Sequence, residues 1–135
     1  MVRISIEYQG QLRCLARHEP SGVTLVTDAP VDNMGKGQSF SPTDLVATAL
    51  GTCVLTIMGI VAQRHGIDLA GTTVTVSKHM VSQPARRIGR LEVSVNVPAR
   101  LSEEDRRRLQ SAALACPVHQ SLHPDVQTDI RFNWA

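Results

Sequence analysis

Apolar and polar residues alternate along Val2–Tyr8, the period-two pattern of a strand with one buried face. Gln9-Gly10 supplies a turn into a second strand, Gln11–Arg17, and Pro20-Ser21-Gly22 a turn into a third, Val23–Asp28. Ala29–Phe40, with Pro30, Gly35 and Gly37, reads as a loop, long enough for its size class to be functional or mobile. Ser41 then offers an N-cap, Pro42 suits the first helical position, and Asp44 stands where a capping-box acid belongs. The helix that follows is expected to run to Arg64 or His65 and to stop at Gly66, a left-handed cap residue. At 1.5 Å per residue it would be roughly 36 Å long. No charge interrupts Leu45–Gln63, which approaches the length of a membrane span. Threonines, glycines and Cys53 dilute that stretch, however, and a helix apolar on all sides can equally be the buried centre of a protein, which is the reading expected here.

Two further alternating segments, Thr72–Met80 and Ile88–Val97, are joined as a hairpin around Gln83–Arg87. Leu91, Val93, Val95 and Val97 line one face of the second, with Glu92, Ser94 and Asn96 on the other. Ser102 caps a second helix whose first turn, Glu103-Glu104-Asp105, sets acid against the positive end of the dipole. Leu109, Ala112, Ala113 and Cys116 form its apolar stripe, and Pro117 ends it or starts a short helix to about Leu122. Val126–Trp134 is a closing strand. The order βββ-α-ββ-α-α-β groups strands and helices, so the predicted class is α+β, with a six-stranded, mainly antiparallel sheet packed on the long central helix. One sheet cannot cover both sides of such a rod; a second subunit can, so a homodimer built around this helix is expected.

Composition narrows the function classes. The chain has 135 residues, the length of one domain covering 1–135, and a formal charge of +2, which argues against binding driven by phosphate contacts. Aromatic residues make up only 3%, too few for base-stacking platforms, so nucleic acid is not an expected partner, and the buried-helix reading of Leu45–Gln63 leaves no expected membrane partner. The N-terminal residues lack the basic-then-apolar pattern of a secretory signal. Three cysteines, Cys14, Cys53 and Cys116, do not resemble a secreted disulfide framework and suit a reducing, cytoplasmic setting.

Each cysteine admits a plain reading and a chemical one. Cys14 sits in a strand and reads as packing. Cys53, in mid-helix, is by its environment a small core residue, since the helix dipole does nothing for a thiol there. Cys116 precedes Pro117 and stands at the cap of the next helix, where free N–H groups can stabilise a thiolate. The same cysteine also begins a Cys116-x2-His119-x3-His123 pattern with Asp125 nearby, an alternative three-ligand metal site. Arg86, Arg87 and Arg90, and the run Arg106-Arg107-Arg108, read as solvated faces; no phosphate-binding loop or nucleophile-elbow pattern is present.

Taken together, Ser41-Pro42-Thr43-Asp44-Leu45, Ala49-Leu50-Gly51-Thr52-Cys53 and Cys116-Pro117-Val118 resemble the osmotically inducible protein C / organic hydroperoxide resistance (OsmC/Ohr) family over nearly the whole chain. The resemblance implies an intertwined homodimer with two long helices back to back and active sites at the subunit interface. It implies a thiol peroxidase for oxidative-stress defence, with Cys53 as peroxidatic and Cys116 as resolving cysteine, no bound cofactor, and an external dithiol as reductant. In the hydroperoxide branch a glutamate follows the helix-start proline and pairs with an N-terminal arginine; Thr43 stands in the glutamate's place here, with Asp44 next. Tyr8-Gln9-Gly10-Gln11 holds no such arginine, so activation of Cys53 would fall to Arg13, Arg17 or a group from the partner subunit, and the chain looks closer to the OsmC-like branch. The alternative within that branch is a non-enzymatic protein that holds a small apolar ligand in the interface pocket.

Overall fold

The computed structural model describes residues 1–135, which gather into two compact units, Met1–Val46 and Ala47–Ala135. In the first unit β1 (Ile4–Gly10), β2 (Arg13–His18) and β3 (Thr24–Asp28) form an antiparallel meander in the order β1-β2-β3. Its first turn is tight: Gly10, Gln11 and Leu12 all take positive φ, and the register shifts between Tyr8 and Gly10. Direct pairing of Tyr8 with Cys14 and of Cys14 with Thr27 puts all three on one face, together with Ile4, Ile6, Ala16 and Leu25. That face is apolar and open, with Ile6 69% and Tyr8 64% exposed.

The loop after β3 is folded back on its own start. A single 3-10 turn spans Val31–Asn33, and the N–H groups of Gly35 and Gly37 return to the carbonyls of Pro30 and Ala29. Only glycine fits at position 35, because a Cβ there would lie 1.7 Å from the Ala29 carbonyl oxygen. Asp28, 1% exposed, closes the base of the loop by accepting the Gln38 N–H at 3.1 Å, with Arg13 at 3.7 Å from the same carboxylate oxygen. Arg13 also donates to the Gln38 side chain. The long segment is thus clamped at both ends rather than loose.

Helix α1 (Pro42–Arg64) begins in the first unit, and its body belongs to the second. Its start is a reciprocal box: the Asp44 N–H donates to Ser41 Oγ at 3.1 Å, and the Ser41 N–H donates to the Asp44 carboxylate at 2.8 Å. Its end is a Schellman turn, with Gly66 at φ +65° and the Ile67 N–H bonded to the Ala62 carbonyl at 2.8 Å. Both ends lie where the pattern of caps puts them.

In the second unit β4 (Thr73–Val81) pairs antiparallel with β5 (Arg87–Val97), and β6 (Gln127–Trp134) pairs parallel with β5 on its other side. The single six-stranded sheet expected from the element order is therefore two sheets of three strands within the chain. The reason is connectivity. The loop and the 23-residue α1 stand between β3 and β4, so hairpin pairing stays within each group. The last strand reaches β5 only after α2 (Glu103–Leu114) and α3 (Pro117–Ser121), and a crossover of that length delivers it parallel. The α+β class and the order of elements hold as expected.

The core of this unit sits between β5 and the two long helices. Leu91, Val93, Val95 and Val97 on β5 are buried, as are Leu50, Val54, Met58 and Ala62 on α1 and Leu109 and Ala113 on α2. Each large aliphatic side chain buried here contributes on the order of 1.5–3 kcal/mol. Gly51 allows α1 to approach β4 closely, since a Cβ there would meet Val76 Cγ2 at 2.8 Å and Val74 Cγ1 at 3.2 Å. The other side of α1 has no cover in the chain: Thr52, Thr56 and Ile60 form an exposed stripe, Ile60 at 42%. By length and composition α1 could cross a membrane, but its packed positions lie on the core of this unit. On the outer face of the sheet, Arg90 bridges Asp129 at 2.7 Å and Glu92 at 3.2 Å, and holds the Asp129 carboxyl below its ordinary range.

Candidate active site

Cys53 lies near the middle of α1, one residue before the buried Val54 and on the margin of the exposed stripe, so that it is half-buried. The neighbouring threonines do not compete for it: Thr52 Oγ1 donates to the carbonyls of Thr48 and Ala49, and Thr56 Oγ1 to that of Thr52. Cys116 follows the C-cap of α2 and is the N-cap of α3, with an extended backbone that turns the chain into Pro117 at the first helical position. It is wholly buried. Its sulfur accepts the His119 N–H at 3.3 Å, in the way a cap serine would use its oxygen.

The fold brings these two cysteines together. Cys53 stands beside the Cys116 thiol, near enough to act on its proton, and both are free thiols. Burial pushes the Cys116 thiol above its ordinary range, the N–H of His119 acts in the opposite direction, and the neighbouring Cys53 and its charge raise it again. The Val118 N–H gives a smaller lowering. A negative charge on Cys53 therefore keeps the proton on Cys116. The arrangement is one half-buried cysteine on the long helix and, beside it, one fully buried cysteine whose thiol is pushed toward its protonated form.

Other sequence candidates resolve differently. The Cys116/His119/His123 metal alternative is not assembled, and no group of His, Cys, Asp or Glu forms a metal-holding cluster. Their bonds explain why: His119 uses Nε2 on Thr128 Oγ1 at 2.8 Å, while His123 Nδ1 accepts the N–H of Asp125 at 3.0 Å. Helix α3 ends at Ser121, so the face that would have aligned the two histidines does not exist. Arg13 is held by Asp28 and Gln38, and Arg17 lies 3.9 Å from Glu19. Thr43 Oγ1 is 3.3 Å from Ser41 Oγ, within the helix-start box. Cys14 occupies the open face of the first sheet beside Tyr8. Two groups escaped the sequence reading. Asp28, the buried clamp of the loop, gave no local signal, whereas the contact of His119 with Cys116 had one in the cap-to-third-residue spacing of a capping box.

Fold and site thus define an α+β protein that carries a thiol pair between a long helix and the cap of a short one. Residues 35–131 match the family model for OsmC-like proteins, and the chain belongs to that family. A crystal structure of a candidate osmotic stress induced and detoxification response protein from Psychrobacter arcticus 273-4 superposes with a TM-score of 0.93 at 43% identity, covering 98% of this chain and 96% of that one. An organic hydroperoxide resistance protein OsmC from Legionella pneumophila shares the fold with a TM-score of 0.78 at 15% identity, over 98% of this chain and 96% of that one. A candidate organic hydroperoxide resistance protein from Vibrio cholerae, which holds captopril in one of its active sites, shares it with a TM-score of 0.77 at 17% identity, over 98% and 91%. No protein of curated function matches the chain.

Proposed function

We propose that this chain is a thiol-dependent peroxidase that reduces organic hydroperoxides. The observation that carries the reading is the contact between Cys53 and Cys116. In the first step the Cys53 thiolate attacks the outer oxygen of ROOH, the O–O bond breaks, and the alkoxide leaves as ROH after taking a proton. Cys53 is then a sulfenic acid. In the second step the Cys116 sulfur attacks the Cys53 sulfur, the S–O bond breaks, and the thiol proton leaves with hydroxide as water. The resulting disulfide is reduced by an external dithiol, which becomes a disulfide itself. The names borne by the Legionella and Vibrio structures support an organic hydroperoxide as substrate, and that of the Psychrobacter structure a role in stress detoxification.

The working unit in this proposal is a homodimer in a reducing cytoplasm, each chain acting as one domain. Two uncovered apolar surfaces support it: the stripe of α1 through Ile60, and the open face of the first sheet through Ile6 and Tyr8. The test is consumption of cumene hydroperoxide with a dithiol in excess. Cys53→Ser should abolish turnover. Cys116→Ser should allow one equivalent to react, leaving a sulfenate that dimedone labels. Wild-type protein that leaves the peroxide untouched overturns the proposal, and a small molecule retained in native mass spectrometry would then favour a binding protein.

A further inference from the structure

Helix α3 has five residues, too short to hold its own geometry, since isolated helices of that length do not persist in water. Yet the geometry of this helix sets the partner of the buried sulfur, because the third residue after Cys116 donates its N–H to Sγ at 3.3 Å. Inside the short helix the Gln120 N–H bonds to the Cys116 carbonyl at 3.1 Å, and Ser121 Oγ donates to the Pro117 carbonyl at 2.8 Å. The side-chain bond that ties α3 to the sheet is His119 Nε2 to Thr128 Oγ1, at 2.8 Å. Thr128 is well placed to serve as an anchor: it lies in β6 opposite Leu91, which is fully buried, so its backbone is held by the ladder of the core. His119 Nδ1 is sealed from solvent and has no partner, which leaves the bond to Thr128 as the ring's one polar attachment. A bare Nδ1 with Nε2–H donating is the tautomer that buries no unpaired N–H.

We propose that His119 is a positioning residue for Cys116: its ring, fastened to Thr128, holds the His119 N–H against the sulfur that closes the disulfide. The role is indirect, since the ring itself makes no bond to either sulfur. It rests on the peroxidase reading only for the word disulfide; the hold on the Cys116 sulfur exists whatever the chain acts on. An N–H aimed at Sγ favours the anion, and it acts against the burial that keeps Cys116 protonated. Loss of the anchor frees α3 to fray and the N–H to leave the sulfur.

The experiment has two arms. In Cys53→Ser protein, the Cys116 13Cβ shift is followed against pH for the parent and for added His119→Ala, Thr128→Val or His119→Gln. The alanine and valine variants should move the Cys116 midpoint upward, while His119→Gln, whose amide nitrogen can reach Thr128, should stay near the parent. In two-cysteine protein, the ratio of the rate of disulfide closure to that of sulfenate formation should fall roughly tenfold for His119→Ala and Thr128→Val, the scale of one lost hydrogen bond to a charged group. An unchanged midpoint in both variants overturns the proposal, as does a glutamine variant that behaves like alanine. An upward shift without any peroxide consumption supports the positioning role and overturns only the peroxidase reading. Thr128→Val, which leaves the histidine in place and removes a single hydroxyl, guards against a fold lost with the ring.

Discussion

The chemistry of the site is concentrated in the proton on Cys116. Burial and the neighbouring Cys53 raise the affinity of this thiol for its proton in the folded chain, and the N–H of His119 offsets only part of that. The folded protein therefore keeps the proton to higher pH than the unfolded chain does. The stability linked to this group is fully present below the unfolded thiol's pKa and is lost as pH rises through the folded value. Urea denaturation of the reduced protein should accordingly show a midpoint that falls from neutral into alkaline solution, and Cys116→Ser should flatten part of that fall. In the reduced protein, ultraviolet thiolate absorbance should keep rising with pH beyond the range in which an ordinary thiol has finished ionising. An absorbance that levels off in the ordinary thiol range would place the proton elsewhere.

At the level of elements, α1 owes its position to its two ends and to one glycine. Ser41 is buried and both of its capping groups are reciprocated by Asp44, so Ser41→Ala should destabilise the fold by about 1–2 kcal/mol, the upper half of the range for cap removal. Differential scanning calorimetry or chemical denaturation would register it. Gly51→Ala sets two effects against each other. Helix propensity favours alanine by up to about 1 kcal/mol, whereas pressing a Cβ onto Val76 in a packed core costs about 1–3 kcal/mol. With Val76 Cγ2 only 2.8 Å from the new atom, the second effect should win and the variant should unfold at lower denaturant. A neutral or stabilising result would mean that β4 yields more easily than a packed strand does. Helix α3 is the opposite kind of element. It has little strength of its own and exists where Pro117, the cap sulfur and Thr128 hold it.

At the scale of the whole molecule, the surfaces that the chain leaves uncovered predict its assembly. Ile4, Ile6 and Tyr8 on the first sheet, and separately Ile60 on α1, are large apolar side chains left open to water. Sedimentation should give twice the chain's 14.7 kDa. Ile6→Glu should weaken the dimer, while Val31→Glu, on the exposed 3-10 turn, should leave it intact. A monomer at micromolar concentration would refute this assembly.

What could be read along the chain was whatever depends on neighbours in sequence. Caps at Ser41, Ser102 and Gly66, the alternation of β5, and the proline after Cys116 are local devices, governed by spacings of a few residues, and each stands where its pattern put it. The division into two three-stranded sheets was not legible, because pairing between strands depends on which edges meet after the crossovers are made. The same holds for the site. Cys53 and Cys116 carry no local sign of each other: one sits in mid-helix and the other at a cap, and their contact exists only because α1 and the turn before α3 pack on the same core. Residue types and local geometry are properties of the chain. A buried thiol set beside a second sulfur, an aspartate closed into the base of a loop, and a histidine tied to a strand are properties of the folded packing, which alone brings distant side chains within reach and takes water away from them.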